Sequence, residues 1–126
     1  MVEREVAPMF QLMDGLPAGV VGVRAVGVVT KEDYETVLDP AVDGAGGPLR
    51  ILFVLGPDFE RYSAGAMLAD TEEYARLWRT CSRMAVVTDV GWIRDAVGLF
   101  RHALPGELRL FPYADLSVAI AWIAAG

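Results

Sequence analysis

The sequence predicts an α/β domain in the order β-β-α-β-α-β-α-β-α, a mixed sheet with helices mainly on one face. Three observations lead there. Residues 83–104, RMAVVTDVGWIRDAVGLFRHAL, read as a buried strand, a tight turn at Thr88 and Asp89, and an amphipathic helix running to Pro105. A second apolar run, LRILFVL at Leu49–Leu55, is dense in branched residues and is stopped by Gly56-Pro57-Asp58, as suits a buried parallel strand. Strands alternating with helices imply right-handed crossovers and neighbouring parallel strands. The 126 residues suffice for one domain, 1–126, that buries a core without disulfide or metal staples.

Taken in order, residues 9–13 form a short apolar strand that ends at the turn Asp14-Gly15-Leu16-Pro17. Residues 20–29 read as one longer strand, and so short a connection makes the first two strands antiparallel. Thr30, with Asp33 three residues on, caps a helix over 31–41. Its buried stripe is Tyr34, Val37, Leu38 and Ala41, with Pro40 bending its end and the glycine-rich run 43–48 closing it. After Leu49–Leu55 comes a helix over 63–81, with Tyr74, Leu77, Trp78 and Cys81 inward. The strand 83–88 leads through Asp89, a helix cap by residue type, into a helix over 90–104. That helix buries Ile93, Ala96, Val97, Phe100 and Leu104. Glu107–Phe111 is the last strand, and 115–125 the last helix, with Leu116, Ala119, Ile120 and Ile123 inward.

Strand parity adds a constraint on the sheet. Arg50 shares a face with Leu52 and Val54, Glu107 and Arg109 share one with Phe111, and Arg24 stands beside Val26 and Val28. A sheet covered on both faces tolerates few such charges, so the face holding these arginines is expected to be semi-exposed or used by a partner. With hydrophobic residues at 54% and a mean hydropathy of +0.36, this face points to a homodimer.

Composition also excludes. No apolar run reaches the ~20 residues of a membrane span, because Arg24 and several glycines interrupt 20–29. The start MVEREVAPMF has two glutamates where a secretion signal has its basic end, so the expected location is cytoplasmic, at most peripheral to a membrane. Cys81 is the single cysteine, which permits no internal disulfide and agrees with a reducing compartment. The net charge of −6, without a basic cluster, argues against nucleic acid as a partner.

Four segments together carry a family resemblance: VVGVRAVGVVTKEDYETVLDPAV from Val20, YSAGAM at residues 62–67, MAVVTDVGWIRDAVGLF from Met84, and PGELRLFPYADLSVAIAW from Pro105. They resemble the SpoIIAA-like family, small bacterial proteins related to the STAS domain of anti-sigma-factor antagonists. The resemblance spans nearly the whole chain from Met9 onward. It implies a mixed sheet with helices mostly on one side; it implies no activity, and the family's suggested roles are apolar-ligand binding and membrane-surface association. STAS antagonists are switched by phosphorylation of a serine in an Asp-Ser-Ser-Gly pattern. Here that place reads Tyr62-Ser63-Ala64-Gly65, with Ala64 where the phosphorylated serine would stand. Ser63 is therefore expected to cap a helix rather than to act as a switch.

Loops at the C-terminal ends of neighbouring parallel strands are the usual place for a ligand. Those loops, 56–63 and 88–92, and the helix starts behind them bring together Phe59, Tyr62, Met67, Leu68, Trp92 and Leu99. These six are the expected lining of a lipophilic groove between the helices 63–81 and 90–104. Other chemistry-bearing residues have plainer roles. Asp70 lies on the inward stripe of its helix and is expected to bond a neighbouring backbone. His102 falls on a polar helix side, with no second His or Cys at metal-ligand spacing. Cys81 continues an apolar stripe as a core thiol. The run Gly44-Ala45-Gly46-Gly47-Pro48 precedes a strand, the wrong order for a phosphate loop, and no nucleophile elbow occurs. No catalytic residue, cofactor or metal is assigned. The reading is a non-enzymatic binding module; the alternative is a STAS-type regulatory protein-interaction module without the phosphorylatable serine.

Overall fold

The structure, a computed structural model, describes residues 10–38, 40–41, 44, 49–62, 81–100 and 107–125. Its main sheet has five strands: β1 (Phe10–Leu12), β2 (Val20–Ala25), β4 (Leu49–Leu55), β6 (Cys81–Thr88) and β7 (Glu107–Phe111), in the order β1-β2-β4-β6-β7. β1 runs antiparallel to β2, and β2, β4, β6 and β7 are parallel. The strand built from LRILFVL is central, and its register with β6 sets Ile51 beside Met84 and Phe53 beside Val86. The expected bounds of β4 and β7 agree with the structure to the residue.

Three expectations are corrected here. The run 20–29 is two strands, not one: it breaks at Val26, and β3 (Gly27–Val29) leaves the main sheet. Gly27 makes the break, with a φ of 67° that a side chain would resist. The segment after Gly56 is not all loop, because Phe59–Tyr62 forms β5, paired in parallel with β3 in a separate two-stranded ribbon. The Gly27 N–H donates to the Asp58 carbonyl at 2.6 Å, so the turn in one segment anchors the other. Cys81 lies at the start of β6, opposite Leu49, rather than at the end of a helix.

The helix expected over 31–41 begins as α1 (Lys31–Asp33) and widens into a π-helical stretch, Tyr34–Leu38. Its start holds the expected cap. The buried Asp33 carboxylate accepts from the Thr30 N–H at 2.7 Å and from the Thr30 hydroxyl at 2.9 Å, the reciprocal half of a capping box. The Thr36 hydroxyl donates to the Glu32 carbonyl four residues back, a bond that competes with regular helix geometry. Two further helices are described: α2 (Gly91–Phe100), and α3 (Leu116–Ala125) preceded by a 3-10 turn at Tyr113–Asp115.

The sheet has a core on each face. One contains Val23, Ile51, Phe53, Met84, Val86 and Leu108, against which Ile93 and Val97 of α2 and Val37 beyond α1 pack. The other contains Leu52, Val54, Ala85, Val87 and Phe111, closed by Ala119 and Ile123 of α3. The described connecting helices thus share one face, as right-handed crossovers through strands in sequential order require. α3 covers the other.

That placement corrects the expectation of a semi-exposed arginine face. Arg50 reaches past the end of α3, donating through Nη1 to the carbonyls of Ile123 (2.8 Å) and Ala124 (2.9 Å). Arg83 donates to the Trp122 carbonyl at 2.9 Å and pairs with Glu107 at 3.0 Å. The guanidiniums of Arg83 and Arg109 stand 4.7 Å and 5.4 Å from the centroid of the Trp122 ring. A helix leaves its last four carbonyls without internal partners, and its C-terminus attracts positive charge. Of the arginines that look out of place in the strand pattern, Arg50 joins Arg83 in capping a helix that has no basic residue in its own last turn, while Arg109 lies over its Trp122 ring and Arg24 donates to Tyr113.

Candidate functional site

α2 begins where β6 ends, and the join is built on Thr88. Thr88 is fully buried; its hydroxyl accepts from the Val90 N–H at 3.1 Å, and its carbonyl accepts from Arg94 Nη1 at 2.8 Å. Asp89, expected to cap α2, instead accepts from the Tyr113 N–H at 3.1 Å. The helix entry is held by Thr88, whose hydroxyl takes the Val90 N–H, while the Asp89 carboxylate reaches the loop after β7.

Tyr113 is the residue that sequence reasoning missed. Its backbone is held by Asp89, and its hydroxyl accepts from Arg24 Nη1 at 3.3 Å. Its ring lies against the backbone of Gly56. A Cβ built at Gly56 would overlap Tyr113 Cε1 and stand 2.9 Å from Cδ1. One tyrosine therefore crosses the C-terminal ends of β2, β4 and β6 on the α3 side, part of the place where a ligand was expected. The strand order supplies a further reason for this closure. Ligand crevices in open parallel sheets form where the strand order reverses, and β2-β4-β6-β7 never reverses. The legible signal was a glycine straight after a buried strand, which marks a close approach by something large.

The Gly56–Tyr113 contact makes a direct prediction. Gly56→Ala is expected to lower stability by about 1–3 kcal/mol, because the ring must leave a position pinned at both ends. Urea denaturation measures it. The loss should shrink when Tyr113→Ala is made in the same chain, since the two substitutions share one contact.

Of the six expected groove residues, the structure brings two together on an open surface. Trp92 is 50% exposed and Leu99 79%, and they stand two turns apart on the outward side of α2. On the opposite side of the same helix, Ile93 is buried and Val97 packs on the core. Phe59 is a core residue rather than a groove wall, because β5 turns its side chain into the cluster with Val29 and Phe53. Tyr62 ends β5, its backbone paired with Val29. Met67 and Leu68 lie outside the described residues, as do Ser63, Asp70, His102 and Leu104. Among the described residues, no three His, Cys, Asp or Glu side chains converge as a metal site, and no helix is long and apolar enough to cross a membrane.

The SpoIIAA-like family model matches residues 20–124, from β2 almost to the end of α3. The chain belongs to the SpoIIAA-like family. Its fold is similar to that of an uncharacterised DUF3478-family protein with a SpoIIAA-like fold from Shewanella loihica, with a TM-score of 0.71 over 98% of each chain. At 21% identity that likeness shows the fold alone. No curated protein matches. The SpoIIAA-like assignment agrees with the parallel core and with the described connecting helices on one face, and α3 on the second face is part of the region matched.

Proposed function

We propose that this SpoIIAA-like domain is a non-enzymatic binding module whose contact surface is the outward stripe of α2, and that it takes a lipophilic small molecule or a lipid surface there. The observation that carries the reading is the pair Trp92 and Leu99, two large apolar side chains 50% and 79% exposed on one helix face while Ile93 and Val97 pack on the core. Scattered surface apolars are ordinary, but here a tryptophan and a leucine two turns apart, roughly 10 Å along the helix, flank the exposed Asp95 on one stripe. A tryptophan half in water is suited to a boundary, since its ring is apolar and its N–H can stay wet. Among the described carboxylates, Asp33 holds Thr30, Asp89 holds Tyr113, and Glu107 pairs with Arg83.

The test is tryptophan emission. The wild type and a Trp92→Phe variant are titrated with a long-chain fatty acid below its micellar concentration and, separately, with phosphatidylcholine vesicles. Uncharged headgroups are used because the chain carries a net charge of −6, which anionic lipid would repel. A blue shift seen in the wild type, absent in Trp92→Phe and abolished by Leu99→Asp is the expected result. A shift with the fatty acid alone indicates a small ligand, and one with vesicles alone indicates a lipid surface. If neither probe moves the emission, the stripe serves a protein partner, and the domain is a STAS-type interaction module.

A further inference from the structure

Away from α2, the outer edge of β7 has a chemistry that selects its own partner. Among the described strands β7 pairs only with β6, and no described strand takes the backbone N–H and C=O groups of its other edge. Natural proteins guard such edges with charge, and here the charges form a pattern. Glu107 and Arg109 stand exposed on one face, opposite in sign, with the buried Leu108 between them on the other face. An antiparallel strand from a second copy, centred on Leu108, sets Glu107 against the second copy's Arg109 and Arg109 against its Glu107. Centring one residue later sets Arg109 against Arg109, and like charges directly opposite are unfavourable. Most other strands would leave both charges against unmatched neighbours.

The groups remain available for this pairing. Glu107 uses Oε1 toward Arg83, and a carboxylate has a second oxygen to offer. Arg109 presents its guanidinium plane to Phe111 and Trp122, and a stacked guanidinium still donates from its edge. α3 packs mainly on β4 and β6 and meets β7 through Trp122, which lies against Phe111 and the Arg109 guanidinium on the sheet face. Pro105 and Pro112 bracket the strand in sequence, and proline lacks the N–H that would let the pairing run on.

We propose that β7 is a homotypic docking edge: two copies join β7 to β7, antiparallel about Leu108, into one continuous sheet. The two-fold axis runs normal to the sheet, so α2 of each copy lies on one face and α3 of each on the other. The proposal is independent of whether α2 takes an apolar ligand.

Light scattering and sedimentation on the full chain test it. At ~100 μM a dimer mass is expected, giving way to monomer near ~1 μM, as suits a small interface. Arg109→Glu sets two pairs of like charges across the edge and should weaken the dimer about tenfold. Glu107→Lys combined with Arg109→Glu exchanges the signs and should recover most of that loss, a result that damage to the Trp122 stack alone would not produce. Hydrogen exchange of the wild type gives a readout free of variants: β7 amides should be protected at high concentration and lose that protection on dilution. A monomer mass at ~100 μM, a dimer indifferent to Arg109→Glu, or β7 exchange independent of concentration each overturns the proposal.

Discussion

Ile123→Ala is expected to lower stability by about 3–4 kcal/mol, in the upper part of the range for isoleucine truncation in a core. Ile123 has no exposed surface and sits among Leu52, Val54, Ala85, Val87 and Phe111. The cost of a cavity depends on how far its walls can close, and here they are fixed. The sheet forms one wall, and Arg50 holds the Ile123 carbonyl itself, so the helix cannot slide inward. Chemical denaturation measures the loss, and the melting temperature should fall by about 11–15 °C. Val118→Ala on the same helix is the control. Val118 is 54% exposed, and its truncation should stay within about 0.5 kcal/mol. A loss below about 1 kcal/mol at Ile123 would mean that α3 does not close this face.

Arg50→Met is the second large effect, expected at about 2–3 kcal/mol. Methionine keeps most of the side-chain length along the sheet but removes the donors. The carbonyls of Ile123 and Ala124 lose a charged partner, and the Ala18 carbonyl loses a longer contact at 3.4 Å. Unsatisfied carbonyls at a helix end are costly in proportion to their burial, and the favourable charge at the negative end of the helix goes as well. Lysine should restore only part of the loss, because one ammonium cannot copy the spread of a guanidinium across separate acceptors. Arg83→Met should cost less, since it removes one carbonyl bond and an exposed ion pair. The double variant should cost less than the sum, because either loss already frays the helix end that both arginines hold. Amide exchange along α3 separates this fraying from general destabilisation: the last turn should lose protection first.

Much of the fold was legible because its rules are local. The branched run at Leu49–Leu55 and the alternation at Glu107–Phe111 name their strands, and the i, i+3, i+4 spacing names the inward faces of α2 and α3. The family resemblance was legible for the same reason, since it is carried by those segments. The break at Val26 and the ribbon of β3 with β5 were not. A glycine among valines can continue a strand or end it, and only pairing with a segment 32 residues away, Gly27 with Phe59, settles which. Asp89 shows the same limit at one side chain. Its residue type and position suit a cap, yet the competing donor, the Tyr113 N–H, is 24 residues away.

The candidate site divides along that line too. Trp92 and Leu99 fall beside the buried stripe of their helix by spacing alone, and the structure leaves them in water. Phe59 was misplaced because the strand that turns it inward depends on β3.

The sequence by itself determined the strands β4 and β7, the inward faces of α2 and α3, the parallel core, and which residues of those strands share a face. Only the tertiary structure decided what covers the arginine face. A helix between two parallel strands has its side set by the right-handed crossover, but α3 follows the last strand and leads to no other. Its side is chosen by what it can bury and by what caps it: the second core for Ala119 and Ile123, and Arg50 and Arg83 for its last carbonyls. Periodicity places Arg50 on a mixed face with Arg109; it cannot show that what Arg50 faces is the chain's own final helix.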